Sequence, residues 1–220
     1  YRKAGFSNQK AFNTSKDSFF YGTDCAFKAA NSKTKIAASI TAVDDCYISD
    51  NFVGKTATED NYGQLLEWIS QTDVNIILFE TMGSIQELQI AIEMSINSKK
   101  IIWISLIMKD KDSLLDGTPL HTVMHLIQSN DIDMLLLNCN NFTLTRSVLL
   151  ELMKFRNSNI GVYPNLGLKE YENNFPEIVN DSNFKIYMHS ILDFKLSILG
   201  TCCGSSPNHT KILKTLKQGI

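Results

Sequence analysis

Apolar positions along the chain fall into two alternating patterns. Uninterrupted runs of strand length recur at residues 36–41 (IAASIT), 74–80 (VNIILFE), 100–106 (KIIWISL), 133–139 (DMLLLNC), 159–164 (NIGVYP) and 194–201 (FKLSILGT). Between them lie stretches whose apolar residues repeat at helical spacing. Residues 61–71 set Leu65, Trp68 and Ile69 on one side. Residues 84–95 open on Ser84 with Glu87 three positions on, which predicts an N-cap and a capping box. Residues 120–129, 143–156 and 208–217 predict further helices, the last with Pro207 near its first turn. After residue 164 a long stretch, polar at first, reads as irregular to about Ser190. Strands apolar on both faces and separated by helices predict parallel pairing with both faces covered. The result is an α/β fold, either an open doubly wound sheet or a (β/α) barrel. No G-x-G-x-x-G turn follows a strand, so a dinucleotide site has no support.

Composition changes this picture little. Hydrophobic residues make up 44% and charged residues 20% of the 220 positions, the balance of an ordinary globular chain. Twenty-one basic residues against 23 acidic ones leave a formal charge of −2, so a nucleic-acid surface is not expected. The longest apolar run, residues 101–108, is far shorter than the ~18–20 residues of a membrane span. The first ten residues lack the apolar stretch of a signal peptide. A cytoplasmic protein with no membrane association is the expectation.

Candidate chemistry narrows the reading. The five cysteines are Cys25, Cys46, Cys139, Cys202 and Cys203, an odd number that argues against a disulfide framework and predicts reduced thiols. Such thiols pack as small apolar groups, act as nucleophiles or bind metal. In parallel α/β folds reactive residues gather at the carboxyl ends of strands. Those ends carry Glu80, Ser105, Asn138–Cys139, Tyr163–Pro164–Asn165 and Cys202–Cys203–Gly204. Three cysteines from two strands therefore share one face. They either pack there or give zinc three of its four tetrahedral ligands, with the fourth left for water or substrate. Gly200 and Gly204 flank the pair and allow a tight turn. His121 and His125 lie four apart on a helix face away from the strand ends, and are read as surface or packing residues.

These residues resemble the homocysteine S-methyltransferase family. That family's Gly-Gly-Cys-Cys-Gly-Thr followed by Pro-x-His is matched by Gly200–Thr201–Cys202–Cys203–Gly204–Ser205 and Pro207–Asn208–His209. Its Asn-Cys is matched by Asn138–Cys139, its Pro-Asn-x-Gly by Pro164–Asn165–Leu166–Gly167, its Glu-Thr by Glu80–Thr81 and its Asp-Gly-Thr by Asp116–Gly117–Thr118. The resemblance implies a (β/α)8 barrel of TIM type. It implies zinc on Cys139, Cys202 and Cys203, and homocysteine sulfur at the open position. No catalytic residue is implied beyond the metal-activated substrate thiolate. Glu80 would hold the substrate ammonium and Asn138 would orient the site or the substrate. Asn165 and His209 are given structural roles; Cys25 and Cys46 match no ligand position.

The implied reaction is methyl transfer from S-methylmethionine, S-adenosylmethionine or betaine to homocysteine, giving methionine. The sequence departs from the family in three places. Residues 1–6 resemble the segment just after the family's second strand, so the chain reads as one domain, 1–220, N-terminally incomplete, with about six of eight βα units. Residues 39–44 differ from the family's glycine-rich loop, and Thr201 and Ser205 replace a glycine and a threonine. An open barrel would favour association into an oligomer. The alternatives are an inactive or truncated homologue that binds zinc or a partner, and a thiol-reactive protein that needs no metal.

Overall fold

The apolar runs at 76–82, 101–106, 134–138 and 160–163 become parallel strands because both their faces are largely covered; at 37–41 Ser39 and Thr41 are exposed. The structure is a computed structural model and describes residues 5–50, 52–155, 159–167 and 178–217. Its elements are α1 (Asn8–Ala29), β1 (Ala37–Thr41), α2 (Lys55–Ser70), β2 (Ile76–Met82), α3 (Ile85–Ser95), β3 (Ile101–Leu106), β4 (Met108–Asp110), β5 (Ser113–Leu114), α4 (Leu120–Gln128), β6 (Met134–Asn138), α5 (Phe142–Leu152), β7 (Ile160–Tyr163), α6 (Asp181–Leu192), β8 (Ile198–Leu199) and α7 (Pro207–Lys217). The main sheet runs β1-β2-β3-β6-β7-β8, every pair parallel, with β4 and β5 forming a separate two-stranded hairpin.

The strand order decides between the two predicted architectures. A doubly wound sheet reverses its order at a switch point. Here the main-sheet order follows the chain without reversal, as in a barrel. The sheet also rolls. Tyr163 on β7 donates a 3.0 Å hydrogen bond to Glu80 on β2, although β3 and β6 lie between them. A flat sheet would hold those strands about 14 Å apart. The fold is α/β of the (β/α)8 type, with six parallel strands and their helices among the described residues, and β1 and β8 as the sheet edges. No helix among the described residues is long and apolar enough to cross a membrane.

Four elements differ from expectation. Helix α1 was not anticipated: of its 22 residues only Ala11 is buried, so its apolar pattern is faint. It docks through Phe12 and Phe19, whose rings lie 5.6 and 6.0 Å from that of Trp68. Helix α6 occupies the later part of the stretch read as irregular; residues 168–177 of that stretch lie outside the described residues, as do Arg156 and residues 1–4 of the expected start. Helix α2 begins six residues early, at Lys55, after Gly54 at φ 92°. Strand β8 shrinks to two residues, because Phe194 and Lys195 close the end of α6 with backbone bonds to Ile191 and Leu192.

Gly161 on β7 shows how closely side chains of the neighbouring strands crowd it. A Cβ built there would lie 2.7 Å from Leu136 Cδ2 and 2.8 Å from Ile198 Cβ. Gly161→Ala should therefore lower stability by roughly 1–3 kcal/mol, the usual cost of overpacking, read as a reduced denaturant midpoint with unchanged slope.

Candidate metal and substrate site

The site gathers at the carboxyl ends of the strands. Strand β6 ends at Asn138, and the next residue, Cys139, adopts φ 54°, a left-handed conformation that is strained for any side chain but glycine. Two asparagines hold it there. Asn138 is 1% exposed; its Oδ1 accepts from Thr81 N (2.9 Å) and Ser105 Oγ (2.7 Å), and its Nδ2 donates to Thr81 Oγ1 (3.2 Å). Asn140 accepts from Met108 N (2.8 Å) and donates to the carbonyls of Leu106 and Asn138. Thr81 is itself left-handed at φ 61°, where the β2–β3 register shifts.

The other two cysteines are held by the Pro164–Gly167 turn. Cys202 N donates to Pro164 O at 2.9 Å and Leu166 N donates to Cys203 O at 2.9 Å. Asn165 shapes that turn by accepting from Gly167 N at 2.8 Å, the structural role expected of it. Gly204, at φ 79°, then reverses the chain, as a glycine beside the pair predicts. Ser205 N closes the reversal on Cys202 O at 3.2 Å.

These anchors bring the sulfurs of Cys139, Cys202 and Cys203 within 4.8 Å of one another, a group that could hold a metal ion. Cys139 Sγ and Cys203 Sγ are 3.8 Å apart. Two sulfurs bound at about 2.3 Å to one tetrahedral zinc ion would also be about 3.8 Å apart. The donor set is all sulfur, which suits a soft or borderline ion. The three cysteines suit zinc, and the Cys139–Cys203 spacing fits it. One expectation is not met: Cys139 and Cys202 are joined as a disulfide, while Cys203, Cys25 and Cys46 are free. An odd number of cysteines excludes a framework that pairs them all, not a single bridge. The Cα atoms of Cys139 and Cys202, 63 residues apart in sequence, stand 5.6 Å apart, a spacing ordinary for a disulfide.

Glu80 points across the barrel interior. It accepts from Tyr163 through Oε2 and from Ser39 Oγ through Oε1. Burial pushes the Tyr163 phenol far above its usual range, and the charge of Glu80 adds to that, so Tyr163 remains a donor. Tyr47, half exposed on the loop after β1, brings its hydroxyl within 3.9 Å of Cys203 Sγ. Its neighbour Cys46 is half-buried; burial, then Asp45, raises its thiol, which stays protonated at neutral pH.

The predicted capping box is not formed. Glu87 instead accepts from Tyr62 OH (2.7 Å) and Val43 N (2.8 Å), pinning the start of the loop that carries Cys46 and Tyr47. Asp116 caps α3 in its place, accepting from Ile85 N at 2.8 Å and from Thr118 N at 2.8 Å. The Asp-Gly-Thr segment is thus a helix cap. His121, His125, His189 and Cys25 are exposed on helices away from the sulfurs. Sequence reasoning missed Asn140, Ser39 and Tyr47. Only Asn140 had a signal, a second asparagine flanking Cys139.

Comparison with known proteins is consistent with this arrangement. Residues 4–216 match the family model described as homocysteine S-methyltransferase. No match was found among curated protein sequences. The metallated form of the homocysteine methyltransferase MmuM from Escherichia coli superposes with a TM-score of 0.78 at 19% identity, over 98% of this chain and 74% of that one. The oxidized form of the same enzyme gives 0.76 at 20% identity, over 98% and 74%. Its apo form gives 0.73 at 19%, over 96% and 76%.

Proposed function

The chain belongs to the homocysteine S-methyltransferase family, and from that premise we propose that it transfers a methyl group from a small donor to homocysteine, giving methionine, in a zinc-dependent reaction carried by one homocysteine-binding domain, 1–220. The observation that carries this reading is the convergence of Cys139, Cys202 and Cys203 from two strand ends to within 4.8 Å of one another, with Cys139 and Cys203 at a spacing that suits one tetrahedral ion. A metallated form of the E. coli enzyme of similar fold supports it.

In this reading the three cysteine sulfurs, in the reduced protein, are the protein's ligands. A bound zinc ion would supply the positive charge that keeps a substrate thiol ionised at neutral pH. Glu80 would receive the homocysteine ammonium in charge-assisted hydrogen bonds. Tyr163 and Ser39 hold that carboxylate in place. Asn138 has its amide engaged by Thr81 and Ser105, so it serves by holding Cys139 and Thr81 in their left-handed conformations. The methyl moves from the donor's positive sulfur or nitrogen to the substrate sulfur, and the donor leaves neutral. Among S-methylmethionine, S-adenosylmethionine and betaine, the shared feature is that positive centre, and the Tyr47 ring beside Cys203 suits it.

The direct test is methionine formation by the reduced, zinc-loaded chain with homocysteine and each donor in turn. Glu80→Gln should raise KM for homocysteine by about 10–100-fold, matching the roughly 1.5–3 kcal/mol of a charged hydrogen bond, with a smaller change in kcat. An unchanged KM would remove Glu80 from the substrate site. The unpaired edges of β1 and β8 favour a second reading, a homologue that binds zinc or a partner without methyl transfer. Stoichiometric zinc with no methionine from any donor would select it.

A further inference from the structure

We propose that His209 is a positioning residue for the Cys202–Cys203 pair, acting through the amide that starts α7; the inference rests on the metal reading above. The ring is 6% exposed and lies on the third residue of the helix. Its Nδ1 accepts from Ser206 N at 3.0 Å and lies 3.1 Å from Ser206 Oγ, while His209 N donates to Ser206 O at 3.0 Å. This is the side-chain half of a capping box, with histidine where glutamate or glutamine is usual, while His209 N goes to the Ser206 carbonyl. An Nδ1 that accepts an N–H carries no proton, so the neutral ring holds its hydrogen on Nε2.

The far side of the ring is fixed by α6. Phe184 meets it edge-on at 4.9 Å, and Asp181 Oδ1 lies 3.8 Å from Nε2, too far for a hydrogen bond. Asn208 Nδ2 donates to Asp181 Oδ2 at 2.6 Å, which ties the same two helices. Among the described residues, Nε2 is buried without a hydrogen-bond partner. Keeping a buried donor unpaired is unfavourable, and here it leaves Nδ1 free to hold Ser206. Between Ser206 and the cysteines stands only the Gly204 reversal, closed by Ser205 N on Cys202 O. The strand side of the pair is held by Pro164 and Leu166, and the helix side by His209.

Three variants of the full chain, reduced and titrated with zinc against a chromogenic chelator, test this. His209→Leu keeps the buried volume and removes the acceptor; zinc affinity should fall about tenfold or more, within the 10–100-fold typical of outer partners of a metal site. His209→Gln, with an amide oxygen at the same helix position, should recover most of it. Leu213→Ala, which loosens α7 elsewhere, should lose stability but keep wild-type affinity. Wild-type affinity in His209→Leu, or an equal loss in Leu213→Ala, overturns the proposal while leaving the metal reading intact. A wild-type chain that takes up no zinc overturns the metal reading and this inference with it. If His209→Leu does not fold, long-range 1H–15N spectra of the wild type decide: Nδ1 should be the unprotonated nitrogen and the Ser206 amide should shift on zinc addition. A protonated Nδ1 or an unmoved amide overturns it.

Discussion

Replacing Cys139, Cys202 or Cys203 by serine abolishes tight zinc binding by the reduced chain, and methionine formation falls with it. Each substitution exchanges a soft, readily ionised sulfur for a hydroxyl that holds its proton and binds zinc poorly. Two remaining thiolates leave half of a tetrahedron. The expected loss exceeds about 100-fold in affinity, beyond what losing an outer partner brings. Chelator competition and elemental analysis after gel filtration measure it. Cys25→Ser and Cys46→Ser serve as controls, because neither belongs to the group of sulfurs within 4.8 Å of one another. Both should retain one zinc per chain. Because Cys139 and Cys202 are joined in this structure, untreated protein should take up less zinc than protein reduced and then loaded anaerobically.

Asn138→Ala should be the most destabilising single change near the site. The side chain is 1% exposed and bridges β2, β3 and β6 through Thr81 and Ser105. Truncation leaves the Thr81 N–H without its acceptor, at roughly 1–3 kcal/mol for a buried donor. It also opens a small cavity, while relaxation of the left-handed Thr81 and Cys139 offsets part of the loss. A total of about 2–4 kcal/mol follows. At this chain length each kcal/mol moves Tm by about 2–4 °C, so a fall of some 4–16 °C is expected in thermal unfolding. Asn138→Ala and Thr81→Ala should be less than additive by the one contact both remove, Asn138 Nδ2 to Thr81 Oγ1. A loss below about 1 kcal/mol would mean that the left-handed residues are held by something else.

The parallel strands and the face that carries chemistry were legible because fully buried strands leave uninterrupted apolar runs, and every parallel strand ends on the same side. Cys139, Cys202 and Cys203 could be gathered from those two facts alone. Helix α1 was not legible, since a helix that buries only Ala11 and leans on one tryptophan has almost no apolar stripe. Strand β8 was overextended because apolar residues at 194–196 finish a helix turn instead of pairing. Glu80 and Tyr163 were each visible at strand ends, but their pairing was not, because β2 and β7 meet only when the sheet rolls. The same holds for Glu87: the local pattern offered it a capping role, and the tertiary structure gave it Tyr62 and Val43. Asp116, 32 residues from Ser84, took the cap instead.

The most direct measurement is zinc K-edge X-ray absorption on the reduced, zinc-loaded chain, with and without homocysteine. Three sulfur neighbours at about 2.3 Å and one light atom, becoming four sulfurs when homocysteine is added, is the predicted result. A zinc shell dominated by nitrogen and oxygen, or a sulfur count that homocysteine leaves unchanged, would contradict the account.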